Sequence, residues 1–373
     1  MPSDPKDVLF FLKVPPPVHG STVMNRQIMQ SAIIHNNLSS VCFPVSISKD
    51  VSDVGKFSFG KVRKIFSDYV KLPSVLRKSK PKLVYFAVSP YGNALIKDFF
   101  FYRIIRLFQI PVVFHHHGKG VKKQGDRSRL YRMFYRSMFA SNYHICLAKE
   151  LVPDIAAYTR NKPFIVPNGI ADQGMRRSYG LIDENRIRIV YLSNFTRSKG
   201  ILVLLDAARI VSQQTRKFEI SIIGKPYDIS QQEVAAYIEK LGLEKHVVLV
   251  GPQYDEQKFK SIAEHDFLVF PTFYENETFG LVLIEAMQCG LPVISTPEGG
   301  IPSVVDDGET GFLVEKNNSQ ALAEKMLRLI NNPSQIREMG TKARKKYEEN
   351  FTVDKFEAGV LGVVNTLLNT LTE

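Results

Sequence analysis

Twice along its 373 residues this chain runs through the same alternation, a short apolar run followed by a stretch of helical periodicity. In the first half DVLFFLK (7–13), SVCFPVS (40–46), KLVYFAV (82–88), PVVFHHH (111–117), YHICLA (143–148) and PFIVP (163–167) predict strands. They are β-branched or aromatic and bounded by Pro, Gly or charge. Residues 21–35, 61–79, 93–108 and 127–140 predict the intervening helices. The second half repeats the scheme, with strands over 186–193, 218–224, 246–251, 266–270 and 291–295 and helices over 199–214, 230–241, 255–264 and 278–289. Repeated strand–helix units demand right-handed crossovers, so each half predicts an α/β body with a parallel, doubly wound sheet. Ligands of such sheets gather at the carboxyl ends of the strands, and two bodies in series place the default site in a central cleft between them. VPNGIADQG (166–174) has the Pro, Asn-Gly and Gly of a linker. The expected division is an N-terminal domain over 1–172, a C-terminal domain over 173–351, and a last helix over 352–373 packing back on the N-terminal domain. That helix carries Phe356, Val360, Val363, Val364 and Leu367 on one stripe.

Charge separates the two halves. Residues 1–176 hold 27 Lys and Arg against 10 Asp and Glu, whereas residues 177–373 hold 22 against 27. Two bodies with different partners follow from that split. In the basic half Lys61, Arg63, Lys64, Lys71, Arg77, Lys78 and Lys80 interleave with Phe57, Phe59, Phe66 and Tyr69; Arg127, Arg129, Arg132 and Arg136 stand beside Leu130, Tyr131, Phe134, Tyr135 and Phe139. Phe99, Phe100, Phe101, Ile104 and Ile105 lie between them. One reading makes the aromatics core and the charges a solvated face; the other rests this domain on an anionic membrane surface. The three cysteines, Cys42, Cys146 and Cys289, are too few and too scattered for a disulfide framework or a Cys-based zinc module, and point to a reducing compartment. Met1–Asp7 carries acids and prolines, the apolar run after it is short for a secretion signal, and no window offers about 18 apolar residues in a row. The expectation is a cytoplasmic protein, peripheral on the inner face of the plasma membrane.

The densest stretch is PTFYENETFGLVLIEAMQCGLPVISTPEGGIPSVVDDGETGFLVE, residues 271–315. It holds Glu277 and Glu285, a spacing that Glu256/Glu264 and Glu349/Glu357 share, so the context must discriminate. Glu277 is expected where a loop becomes a helix, with the amides of Thr278, Phe279 and Gly280 favouring an anion. Glu285 is expected two turns along the same helix on the same side, where a carboxylate accepts the paired hydroxyls of a ribose. Gly299 and Gly300 allow close backbone approach. The plain alternative is a capping Glu and a surface Glu.

In order and type these residues resemble the signature of glycosyltransferase family 4, retaining enzymes of the GT-B fold. The pattern is a Glu, a small residue, Phe-Gly, a helix with a second Glu, then Gly-x-Pro-Val, Gly-Gly-x-Pro and a Gly-x-Leu close; Ser303 departs from it, standing where the family has Glu. The resemblance covers nearly the whole chain. It implies two Rossmann-like domains facing across a cleft, the N-terminal one binding acceptor and the C-terminal one binding a nucleotide-sugar. Lys199-Gly200 matches the Lys-Gly that reaches the donor diphosphate. The family's Gly-Arg pair is Ser193-Asn194 here, and Arg197 is the candidate replacement. His117, the best placed of His115, His116 and His117, matches a His before Gly that contacts the transferred sugar. Gly20 stands in the first loop near donor phosphates or acceptor, and Asn168-Gly169 matches the Pro-Asn-Gly of the domain junction.

The resemblance therefore implies catalytic roles for Glu277 and His117, and nucleotide-sugar contacts from Lys199, Arg197, Glu285, Thr278, Phe279, Gly280 and Gly20. No metal or further cofactor is expected: there is no Asp-x-Asp pair, and at most two of three consecutive His share one side of a strand. The implied function is retaining transfer of a sugar to a glycan or polyprenyl-linked acceptor in cell-surface polysaccharide synthesis. The alternatives are an epimerase or phosphorylase of similar architecture and a basic nucleic-acid binder. No nucleic-acid motif accompanies the charge, and no Gly-x-Gly-x-x-Gly follows a strand as an oxidoreductase would need.

Overall fold

The computed structural model describes residues 5–16, 19–45, 59–177 and 182–372. Phe57 lies outside the described residues, as do the side chains of Phe59 and Lys61. The chain divides into two compact units, residues 1–169 with 353–373, and residues 170–352.

In the first unit the strands are β1 (Val8–Lys13), β2 (Ser40–Val45), β3 (Leu83–Val88), β4 (Val112–His116), β5 (Tyr143–Cys146) and β6 (Phe164–Ile165). The helices are α1 (Gly20–Gln30), α2 (Ala32–Asn37), α3 (Phe59–Ser79), α4 (Gly92–Leu107), α5 (Val121–Arg127), α6 (Arg129–Phe139) and α7 (Val152–Ile155). The second unit has β7 (Ile187–Leu192), β8 (Phe218–Ile223), β9 (Val247–Gly251), β10 (Phe267–Phe270), β11 (Val293–Ser295) and β12 (Gly311–Leu313). Its helices are α8 (Ile201–Ser212), α9 (Gln231–Leu241), α10 (Asp255–Ala263), α11 (Leu281–Gln288), α12 (Ile301–Val304), α13 (Ser319–Ile330) and α14 (Pro333–Asn350). The final helix α15 (Val353–Thr372) returns to the first unit, packing on α2 and β3.

Both six-stranded sheets are parallel throughout, as the repeated units require. The first has the order β2-β1-β3-β4-β5-β6 and the second β12-β11-β10-β7-β8-β9. Each order reverses once, between β1 and β3 and between β7 and β10. At a reversal the loops leaving two adjacent strands part to opposite faces and open a crevice at their carboxyl ends. The central strands are sealed on both faces: Val8–Leu12, Leu83–Tyr85 and Ile189–Tyr191 bury completely.

Several expected elements break where a polar side chain offers the backbone an alternative. The single helix expected over 21–35 is two, because Ser31 accepts the amide of Ile34 at 3.1 Å and starts α2. The helix expected over 127–140 starts later, at Arg129, because Ser128 is the N-cap of α6, and Arg127 ends the separate α5. The three-residue β12 and the polar α14 add to the expected elements; the first is too short for a periodicity, and the second buries only the stripe Ile336, Met339, Gly340, Ala343 and Tyr347 among many charges. The aromatics of the basic half also divide. Phe101, Phe134, Tyr135 and Phe139 are core, with Phe99 stacked on Phe134 at 4.3 Å, whereas Phe66 and Phe100 are 68% and 52% exposed.

Candidate active site

At the reversal of the second sheet, β7 and β10 lie side by side and their outgoing loops meet. The loop after β7 forms a 3-10 turn over Arg197–Lys199 and then Gly200, whose φ of +84° caps α8. A Cβ on Gly200 would stand 2.1 Å from the Pro271 carbonyl oxygen, so only glycine lets this loop close on the chain leaving β10. The Phe273 amide donates to the Ser198 carbonyl at 2.8 Å and ties the two loops together. The loop after β11 joins them: a Cβ on Gly299 would stand 2.1 Å from the Glu277 carbonyl oxygen, and the Gly300 amide donates to the Thr278 carbonyl at 2.9 Å. These contacts bring Lys199 and Glu277 together, Nζ to Oε2 at 2.5 Å. Lys199 also lies over the rings of Tyr274, at 4.7 Å, and Phe270, at 5.5 Å. Both charged groups keep an outlet to solvent, with side chains 22% and 11% exposed.

Glu277 is not on a helix. It lies in the loop with Thr278, Phe279 and Gly280, and α11 starts only at Leu281 after Gly280, whose φ of +71° makes it the N-cap. The expected helix start at Thr278 is corrected accordingly: Phe279 turns into the core against Phe351, and a left-handed Gly280 ends the extended path before the helix begins. Glu285 is on α11 and pairs with Lys258 of α10, Nζ to Oε1 at 2.7 Å. Lys258 and Tyr274 are functional candidates that the sequence leaves hidden, because nothing in their local spacing ties them to a carboxylate distant along the chain. Lys199 precedes α8 rather than starting it. Arg197 does not join the Lys199–Glu277 pair: its guanidinium donates to Glu233 of α9 at 3.2 Å, and its amide donates to Asp228 at 2.8 Å. The second unit thus offers two cation–carboxylate pairs, Lys199–Glu277 where the loops of β7 and β10 meet and Lys258–Glu285 between α10 and α11, donors suited to phosphate oxygens and acceptors suited to sugar hydroxyls.

In the first unit the three histidines separate by face. His144 donates from Nε2 to the Phe139 carbonyl at 3.0 Å, which leaves its Nδ1 to accept from His116 Nε2 at 3.0 Å. His115 bonds the Tyr85 hydroxyl. Burial, as the leading cause, holds His115 and His116 well below the usual histidine range. His117 follows β4, half-buried, with its ring 4.0 Å from that of His115. Burial, then the charges of Lys13 and His19, push it down to about 3, so it is neutral. Gly20 is exposed at the first position of α1, whose preceding His19 amide donates to Thr22 Oγ1 at 3.1 Å.

Two parallel six-stranded α/β units in series define the GT-B class, and the solved structures agree. The chain superposes with a TM-score of 0.71 on Alr3699/HepE from Anabaena in complex with UDP and glucose, at 18% identity, covering 96% of this chain and 99% of that one. Residues 175–346, which contain the Lys199–Glu277 and Lys258–Glu285 pairs, match the model of the glycosyl transferases group 1 family. The capsular polysaccharide biosynthesis glycosyltransferase CapM of Staphylococcus aureus is 28% identical over 326 residues, 82% of each chain. The N-acetyl-alpha-D-glucosaminyl L-malate synthase of Bacillus anthracis is 30% identical over 182 residues, 48% of this chain and 45% of its own length. The chain thus spans under half the length of that relative.

Proposed function

We propose that this protein is a retaining glycosyltransferase of family 4, which moves a sugar from a nucleotide-sugar donor to an acceptor in cell-surface polysaccharide assembly. The observation that carries this reading is the Lys199–Glu277 pair at the reversal of the second sheet, inside the residues that match the family. In this reading Lys199 moves its ammonium from Glu277 to the donor diphosphate, where a point charge supports the leaving group. Glu277, released, faces the sugar as positive character develops at the anomeric carbon, and needs no covalent bond to it. His117, neutral, exchanges hydrogen bonds with a sugar hydroxyl. Glu285 accepts the ribose hydroxyls, with Lys258 fixing its carboxylate. Lys199 and the amides before α11 neutralise the diphosphate without a divalent ion; Arg197 serves there only after leaving Glu233. A structural neighbour is solved in complex with UDP and glucose, which supports a uridine nucleotide as the first to test.

The first unit suits an acceptor anchored in lipid. Among the described residues no helix is long and apolar enough to cross a membrane. On α3, α4 and α6, however, Phe66, Phe100, Leu107 and Met133 are exposed among basic residues, and Arg129, Arg132 and Arg136 line a concavity of about 570 Å³. Apolar side chains ringed by arginine and lysine match an anionic bilayer surface. The deciding experiment follows an α-linked UDP-sugar by NMR in excess EDTA with a polyprenyl-diphosphate glycan as acceptor. An α-linked product is expected; an inverted product, or activity that returns only with magnesium or manganese, overturns the proposal.

A further inference from the structure

The reversal of the first sheet, between β1 and β3, carries a charged cluster that the site above does not use. Lys13 closes β1, and its Nζ donates to Ser89 Oγ at 2.5 Å and to the Asp98 carboxylate of α4. Asp98 is fully buried and also accepts the Ser89 amide at 2.8 Å, while Asn25 of α1 holds the Lys13 carbonyl at 2.9 Å. Thus α1, β1, the end of β3 and α4 all position one ammonium. Among the described residues two of its three protons find acceptors, which leaves the third for an incoming oxygen. The side chain keeps 20% exposure, so the residue opens towards solvent. His117, at the end of the next strand, and His19, ahead of α1, lie within electrostatic reach of Lys13 and add neutral imidazoles.

We propose that this cluster is an oxyanion-binding site, which takes a phosphate or carboxylate group of the acceptor. A buried ion pair by itself stabilises a fold no better than apolar packing. Here the pair sits at the point of the sheet where ligands bind, as Lys199–Glu277 does in the other unit. Desolvation, opposed by Asp98 and reinforced by Lys97, brings the Lys13 ammonium down to about 8. An arriving anion therefore restores the charge that burial weakens. Only the description of the bound molecule as an acceptor rests on the transferase reading.

The test titrates sulfate and malonate calorimetrically into the Lys199→Ala protein, which lacks the ammonium proposed for the donor diphosphate. Binding is expected at pH 7, weaker by about fivefold or more with Lys13→Gln added, as charge-assisted hydrogen bonds require. It should also weaken from pH 7 to 9 as Lys13 loses its proton. Sulfate keeps its charge over that range, and Asp98, Lys97, His117 and His19 are the groups that face Lys13. Binding of sulfate alone marks a phosphate-type ligand, and of malonate alone a carboxylate. If Lys13→Gln fails to fold with Asp98 left bare, Lys13→Gln/Asp98→Asn removes both charges and gives the same readout. No binding, or binding indifferent to Lys13 and to pH, overturns the proposal. Because no transfer is read, its failure is distinct from failure of the transferase reading.

Discussion

The two units place a lysine at the same topological point of their sheets, yet surround it differently. Lys199 stands on a loop that a glycine lets close, against a carboxylate that is itself on a loop and partly open to solvent. Lys13 belongs to a strand, and its partner Asp98 is completely buried on a helix. A pair held by loops can separate when a ligand arrives, because only side-chain bonds and loop contacts must rearrange. A pair anchored on regular elements can separate only by swinging the lysine chain, with its backbone and its buried partner held, so it presents a more fixed donor. The difference suggests a division of labour, a cradle that reorganises around the donor in one unit and a rigid recognition point in the other.

The strongest way to break that comparison is Glu277→Gln. Loss of preorganised charge at the reacting centre is expected to lower the transfer rate about 10²–10³-fold with little change in donor affinity; single-turnover assays decide, and an unchanged rate would detach Glu277 from the chemistry. Next is Glu285→Ala. Losing hydrogen bonds from a charged acceptor should cost about 2–3 kcal/mol of nucleotide binding by calorimetry, while the fold survives because Lys258 can reach solvent.

A third effect sharpens the contrast through pH. In the first unit His116 and His144 are buried neutral, His144 held down to about 4 chiefly by burial. Their folded values lie below the unfolded one, so the unfolded chain binds more protons and stability is lost as pH falls below about 6.5 towards 4. The second unit has one such histidine with a lowered value, His265. Hydrogen exchange at pH 7 and pH 5 should therefore show protection falling more in β4, β5 and α6 than in β7, β8 and α8; equal losses would remove the histidine pair as the cause. The smallest effect concerns the basic face. Arg129→Glu with Arg136→Glu should weaken co-sedimentation with anionic vesicles by up to about 1 kcal/mol for each arginine lost, and added salt should do the same. Retention insensitive to both would leave the exposed arginines as a solvated surface.

How much can be read from residues alone differs between the two switch points. In the second unit the loop residues follow one another in a motif, so Lys199, Glu277, Glu285, Gly299 and Gly300 are all legible in the order of the amino acids. Even there the sequence misplaces Glu277, making a loop the first turn of α11, because a left-handed Gly280 looks like a flexible helix start. In the first unit Lys13, Ser89 and Asp98 lie in three separate elements and share no motif. A lysine closing DVLFFLK reads as the polar end of a strand. Sequence by itself determined the alternation of strands and helices, hence two parallel doubly wound sheets, since apolar periodicity and turn residues act over a few neighbours. Which strands became neighbours, and so where each sheet reversed, was decided by tertiary packing. That choice set Lys199 against Glu277 rather than Arg197, whose guanidinium went to Glu233, and joined Lys13 to an aspartate 85 positions away. Side-chain pairing of this kind depends on burial and on close backbone approach, which no local stretch of chain encodes.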